Sequence, residues 1–299
     1  MSCYPARLGG NGSSRVHDGI AKGLAELGHT VYYSVSEGYD EDVPLPRGVV
    51  ASPRDVRDAD LYHFNDYPGP EAAPPPAGKP WVRTYHAPFE PWFAPLVSDH
   101  FIYVSRAQAA TFGSSRYVWN GVDPDEVVYS ETKDDYFLFI VSQLNRAVSK
   151  GLLTAIATVE RLGARLLVAA HPGKEPMPPE FESPNVTYLG YVMEEEKAAV
   201  LAGAKALFFP VQVPEPFGMV VAEALMSGTP VIGSRNGSVP ELITPDVGFT
   251  CQTLGDYAAA AERVHEIRPQ ACRDRAMREF HYRVMAQRYV AEYERELAS

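Results

Sequence analysis

Two glutamates, Glu215 and Glu223, stand eight residues apart in the run Glu215-Pro216-Phe217-Gly218-Met219-Val220-Val221-Ala222-Glu223. The apolar segment Ala206-Leu207-Phe208-Phe209-Pro210 reads as a strand that leads into the loop carrying Glu215. Pro216 fixes that loop, and Gly218 removes the side chain where backbone must approach a ligand closely. A helix then begins, and its unsatisfied N–H groups suit phosphate or sugar oxygens. Eight residues is about two helical turns, so both carboxylates can line one pocket and accept hydroxyl hydrogen bonds in pairs, one from a sugar ring and one from a ribose. On residue types alone, a solvated loop carboxylate and a helix-surface one are the more ordinary account of the pair.

Cations that could face a diphosphate lie in Val141-Ser142-Gln143-Leu144-Asn145-Arg146-Ala147-Val148-Ser149-Lys150-Gly151. His86 ends an apolar strand in Thr84-Tyr85-His86-Ala87-Pro88, and His63 with Asn65-Asp66 ends the strand before it. Gly9-Gly10-Asn11-Gly12 precedes a helical pattern but lacks the spacing of a dinucleotide fingerprint. Asp40-Glu41-Asp42 and Asp123-Pro124-Asp125 have D-x-D form in turn contexts, where carboxylates are ordinarily solvated. No zinc spacing occurs, so no metal is expected.

The elements that must position these residues follow from periodicity. Val16, Ile20, Leu24 and Leu27 recur at helical spacing until Gly28, and Thr30–Val35 reads as a buried strand. Only Met1-Ser2-Cys3-Tyr4 precede the glycine loop, so the first strand is expected to be shortened. Further strands are predicted at 61–64, 81–85 and 100–104, and the proline-rich 68–76 segment is predicted as a surface loop. A turn signal and a charged run near 120–135 mark a boundary. Beyond it, strands at about 136–142, 165–170, 186–189, 205–210 and 229–233 alternate with helices at about 150–162, 194–203 and 218–227. Such alternation implies parallel sheets with both faces covered. A long helical pattern fills about 270–298.

The 299 residues suffice for two cores, and the balance of 45% hydrophobic and 22% charged residues is that of a globular protein. A net charge of -11 without a basic run argues against general nucleic-acid binding. Three widely spaced cysteines fit a reducing compartment. With no long apolar run and no signal-like N-terminus, the protein is expected to be cytoplasmic.

The Glu-Pro-Phe-Gly segment followed by Glu223-Ala224-Leu225-Met226-Ser227-Gly228-Thr229-Pro230-Val231-Ile232 resembles the family 4 retaining glycosyltransferases of the GT-B fold. Gly9-Gly10, Gly28-His29-Thr30-Val31, Asn120-Gly121-Val122-Asp123, Lys150-Gly151 and Val186–Tyr191 extend the likeness along the chain. The resemblance implies two facing Rossmann-like parallel-sheet domains. These are an acceptor-binding domain over 1–125, a nucleotide-sugar-binding domain over 126–275, and a C-terminal helix at 276–299 packing back on the first. It implies transfer of a sugar, with retention, from a nucleotide-diphosphate sugar to an acceptor hydroxyl in the cleft between the domains, with no other cofactor. Glu215 would then contact the donor sugar and Glu223 the ribose. The amides of Phe217, Gly218 and Met219 would face the sugar and diphosphate, with Gly10 and Tyr191 as further donor-side contacts. Lys150 matches the lysine that neutralises the departing diphosphate. Gln143 stands where the family has an arginine, and two extra residues precede Lys150, which makes Arg146 the shifted candidate for that role. His86 matches a histidine near the reacting sugar. The Gln143 departure keeps open a nucleotide-sugar-binding protein without transferase activity, and a sugar-nucleotide epimerase shares the fold.

Overall fold

The computed structural model describes residues 12–34, 45–52, 59–65, 78–87, 98–170, 177–192 and 194–299. Gly10, the shortened first strand, Asp40-Glu41-Asp42, Asp66 and the 68–76 loop lie outside them. The chain divides into two compact units, one comprising Met1–Val122 with Glu279–Ser299 and the other Asp123–Arg278. Among the described residues no helix is long and apolar enough to cross a membrane.

In the first unit, α1 (Gly12–Glu26) buries Val16, Ile20 and Leu24 on one face. The strand β1 (Val31–Ser34) pairs in parallel with β2 (Val49–Ser52). Tyr33 is buried and Tyr32 is 52% exposed, so β1 alternates between core and solvent and is not the fully buried strand expected. Strands β3 (Tyr62–Phe64), β4 (Trp81–Tyr85) and β5 (Phe101–Tyr103) form a second parallel sheet, followed by α2 (Arg106–Thr111).

The second unit carries a six-stranded parallel sheet in the order β11-β10-β9-β6-β7-β8. Its elements in chain order begin with β6 (Phe137–Val141), α3 (Leu152–Leu162), β7 (Leu166–Ala170), β8 (Val186–Gly190), α4 (Glu194–Gly203), β9 (Ala206–Phe209) and α5 (Met219–Met226). They continue with β10 (Val231–Gly233), α6 (Val239–Leu242), β11 (Gly248–Thr250), α7 (Leu254–Arg263) and α8 (Pro269–Glu279). Phe137, Phe139, Leu152, Leu166 and Phe208 fill the core between the sheet and its helices. The chain runs outward from β6 through β7 to β8, then returns to place β9 on the other side of β6. The strand order therefore reverses between β6 and β9, and in an open parallel sheet the crevice beyond the carboxyl ends at that reversal is where ligands bind.

The single helical pattern expected over 270–298 is two helices, α8 and α9 (Tyr282–Leu297). The break has a tertiary cause. Val122 pairs with this segment, donating its N–H to the Phe280 carbonyl at 2.7 Å and accepting from the Tyr282 N–H at 3.1 Å. Phe280 is fully buried with its ring 5.7 Å from that of Trp119, and the His281 side chain caps α9 by accepting from the Arg283 N–H. The helix α9 then packs on α1 across two glycines. A Cβ on Gly23 would stand 2.5 Å from the Ala286 Cβ, and one on Gly19 would stand 3.2 Å from Met285. Small residues one turn apart thus set the approach of the two helices.

Candidate functional site

Behind β6 the chain makes a 3-10 turn at Leu144–Arg146, and the Lys150 N–H closes the next turn on the Arg146 carbonyl at 2.9 Å. Gly151 follows with φ +88°, and a Cβ there would lie 2.0 Å from the carbonyl oxygen of Pro210, the residue just after β9. Only glycine lets the two loops at the reversal touch. The Gln212 N–H to Ser149 carbonyl bond, at 2.8 Å, locks them together. In this arrangement Lys150 Nζ donates to Glu215 Oε2, an ion pair of two partly buried side chains. Two of the sequence candidates are thus in direct contact.

The Glu215 loop is held from its other side by the segment after β10. Ser238 donates its N–H to the Glu215 carbonyl at 2.9 Å and its Oγ–H to the Phe217 carbonyl at 2.8 Å, and Asn236 Nδ2 donates to the Val211 carbonyl at 2.7 Å. The Phe217 side chain is buried and anchors the loop. Gly218 then takes the left-handed conformation, φ +90°, and no side chain caps α5 behind it. A helix start without a side-chain cap presents N–H donors and a positive dipole end, the chemistry of an anion site. Met219 is partly exposed there.

Glu223 is 3% exposed, flanked on α5 by fully buried Val221, Ala222, Ala224 and Leu225. That removes the solvated reading of this residue. Its Oε2 accepts from Lys197 Nζ on α4 at 2.5 Å. Arg146 is exposed on the turn before Lys150, and Tyr191 is 45% exposed just past Gly190 at the carboxyl end of β8. Asp123 is a capping residue, its Oδ1 accepting from the Asp125 N–H.

In the first unit, the strand ends bring His63, Asn65 and His86 into one polar cluster beside α1. Asn65 Nδ2 donates to the Ser13 carbonyl at 3.3 Å, which turns its Oδ1 toward His86 Nε2 at 2.6 Å. Nε2 therefore carries the proton, and His86 Nδ1 is an acceptor. Burial, with a smaller contribution from the His17 charge, lowers the His86 pKa to about 3, so the ring stays neutral and serves as a hydrogen-bond partner. His63, beside it, is engaged within the fold. Its Nδ1 meets the Tyr293 hydroxyl and its Nε2 the Thr84 hydroxyl, each at 2.7 Å, and Thr84 also meets Tyr289 at 2.8 Å. Both ring nitrogens are spent on anchoring α9. His17, whose ring lies 4.6 Å from that of Tyr33, has a pKa lowered to about 4 by burial, and its Nδ1 has no partner among the described residues.

Lys197 and His17 are the site-adjacent residues that sequence reasoning missed. Lys197 ends a run of acidic residues and reads as a solvated helix lysine. Its partner lies 26 residues away on another helix, so no local signal marks it.

A six-stranded parallel sheet with the Lys150–Glu215 pair and the uncapped start of α5 at its reversal has the architecture of a GT-B glycosyltransferase. The chain belongs to the family described as Glycosyl transferases group 1, whose model matches residues 128–280, just over half of its length. It is 31% identical over 116 residues to the MMP alpha-(1->4)-mannosyltransferase of Mycolicibacterium hassiacum. That match covers 35% of this chain and 28% of the mannosyltransferase, so the likeness spans under a third of the relative's length. The structure of AviGT4, a glycosyltransferase involved in avilamycin A biosynthesis, superposes with a TM-score of 0.79 at 26% identity, covering 97% of this chain and 91% of that one. Anabaena HepE in complex with UDP-glucose shares the fold, with a TM-score of 0.68 at 15% identity and 96% coverage of both chains.

Proposed function

We propose that the protein is a retaining glycosyltransferase of family 4 that moves a hexosyl group from a nucleotide-diphosphate sugar to an acceptor hydroxyl. In this reading the second unit binds the donor and the first the acceptor. The observation that carries it is the Lys150–Glu215 pair, set at the sheet reversal in the same loop that leads into the uncapped start of α5. Lys150, Arg146 and the amides of Gly218 and Met219 neutralise the diphosphate, Glu215 accepts from donor sugar hydroxyls, and Glu223 accepts from the ribose. Tyr191 borders the nucleotide. Positive charge fixed in the protein performs the leaving-group task without a divalent metal or other cofactor. Lys150 exchanges part of its contact with Glu215 for the diphosphate when donor binds.

The anomeric carbon–oxygen bond to the β-phosphate breaks, and the bonding pair leaves with the phosphate oxygen. The acceptor oxygen bonds to the anomeric carbon from the same face, and its proton passes to the departing phosphate. Glu215 and Glu223 are each engaged by a lysine, which disfavours either as a covalent nucleophile and supports this direct course. His86 Nδ1 accepts from a sugar hydroxyl near the reacting centre. The enzyme is assigned to the cytoplasm, where nucleotide sugars are made.

Incubation with nucleotide-diphosphate sugars and a panel of hydroxyl acceptors tests the proposal. Nucleoside diphosphate should appear with a retained glycoside product. Donor binding without release under any acceptor condition would make the protein a nucleotide-sugar binder, and an isomerised sugar nucleotide would make it an epimerase.

A further inference from the structure

Glu223 is a carboxylate on a face of α5 that is otherwise fully apolar, and its cation comes from a different helix. A buried ion pair seldom adds stability over a well-packed apolar pair, so its presence on the helix that opens the anion site calls for a chemical role. The ammonium of Lys197 reaches Glu223 from the solvent side, with 22% of the lysine side chain exposed against 4% of the glutamate's. The Lys197 contact at Oε2 holds the carboxylate's rotamer. A carboxylate has about four lone-pair positions, so acceptor capacity remains for a vicinal diol.

We propose that Lys197 is a positioning residue for nucleotide recognition: by holding the Glu223 carboxylate in orientation, it makes the site select a ribose over a 2′-deoxyribose. The inference rests on Glu223 as the ribose acceptor. Lys197 touches no substrate in this scheme. It acts through the carboxylate, so its removal erodes the sugar discrimination and leaves the diphosphate contacts intact.

The test is calorimetric titration of the full chain with UDP, ADP, GDP and CDP, each beside its 2′-deoxy counterpart, and with inorganic pyrophosphate. A hydrogen-bond pair to a charged acceptor gives the best-binding nucleotide a ribose preference of about 10-fold or more in the wild type. In Glu223→Gln that preference is expected to fall to within about 3-fold of unity, and Lys197→Met should fall equally far while Lys197→Arg keeps most of it. Pyrophosphate affinity should be unchanged in Lys197→Met. If that variant loses pyrophosphate binding, Lys197 is a direct phosphate contact and the proposal fails. A wild-type ribose preference in Lys197→Met, with the preference lost in Glu223→Gln, overturns the role of Lys197 alone. A preference retained in Glu223→Gln, or no nucleotide binding by the wild type, overturns the reading beneath it. Lys197→Gln keeps a donor near Glu223 and serves if the methionine variant does not fold. Its preference should lie below that of the wild type, and a wild-type value refutes the proposal.

Discussion

Replacing Gly237 with alanine should displace the Glu215 loop without altering any side chain proposed to contact substrate. Gly237 has φ +59°, and a Cβ there would sit 2.3 Å from the Glu215 nitrogen, 2.4 Å from its carbonyl oxygen and 3.0 Å from the Pro214 carbonyl carbon. These are backbone atoms that no side-chain rotation can clear, so the loop must move by roughly 1 Å to restore ordinary contact. The left-handed conformation costs alanine about 1 kcal/mol. Overpacking against backbone adds about 1–2 kcal/mol, and loss of the bond from the Ser238 N–H to the Glu215 carbonyl about 1 kcal/mol. The sum, about 3–4 kcal/mol, corresponds to a Tm lower by roughly 10 °C for a unit of this size. Displacing the Glu215 loop by such a distance should lower kcat/KM by about 100-fold. Gly163→Ala is the control, since its φ is +61° and a Cβ there meets nothing within 4 Å. It should cost only the conformational term, about 1 kcal/mol, with activity unchanged. Differential scanning calorimetry and initial rates on both variants check this. Equal Tm and equal activity for the two substitutions would refute the claim that the β10 segment clamps the donor loop.

Acid should weaken the first unit before neutral-pH chemistry is affected. Burial holds His17, His63 and His86 below the ordinary 6.5, so the folded state binds fewer protons than the unfolded chain. Their contribution is complete above pH 6.5 and is lost as pH falls toward about 4 for His17 and about 3 for His86. At pH 5 each costs up to about 2 kcal/mol, less where the partly exposed rings of His17 and His86 keep solvent. Urea melts followed by tryptophan fluorescence should show the drop, and a stability flat from pH 7.5 to 5 would contradict it. Lys150→Met should lower kcat by about 100-fold or more, and Arg146→Ala by about 10-fold, in steady-state assays. The reverse order would make Arg146 the principal diphosphate cation. Asn65→Ala should release the His86 tautomer, seen as a changed imidazole nitrogen shift by NMR, with a modest loss of activity; an unaltered shift would exclude the Asn65 constraint. Tyr289→Phe should cost about 1–2 kcal/mol through the lost bond to Thr84, measurable in the same urea melts.

The second unit was the more legible in sequence because its chemistry sits on strong local signals. The strands over 137–141, 166–170 and 206–209 are continuous apolar runs, and Pro216 and Gly218 punctuate the start of α5. Short elements escaped. Gly248–Thr250 and Val49–Ser52 are too brief for periodicity to register, and the helix α7 behind the Thr253/Asp256 capping box was passed over. The break before α9 contains neither proline nor glycine and arises from pairing with Val122, a contact that no local pattern encodes. The candidate carboxylates could be found by spacing, but which lysine each would meet could not. Lys150 and Glu215 are 65 residues apart, and only the sheet reversal brings their loops together. His63 and His86 look alike in sequence, each ending a strand. They diverge because α9 supplies Tyr293 to one, while Asn65 holds the other.

The central claim is that the carboxyl end of the β6–β9 reversal holds a nucleoside diphosphate. A crystal structure of the protein grown with UDP, or with the best-binding ribonucleoside diphosphate, measures it most directly. The account requires diphosphate oxygens within about 3 Å of the Gly218 or Met219 amides and of Lys150 Nζ, with the ribose hydroxyls on Glu223. A nucleotide bound with its diphosphate away from the start of α5, or with Lys150 still wholly committed to Glu215, would contradict it.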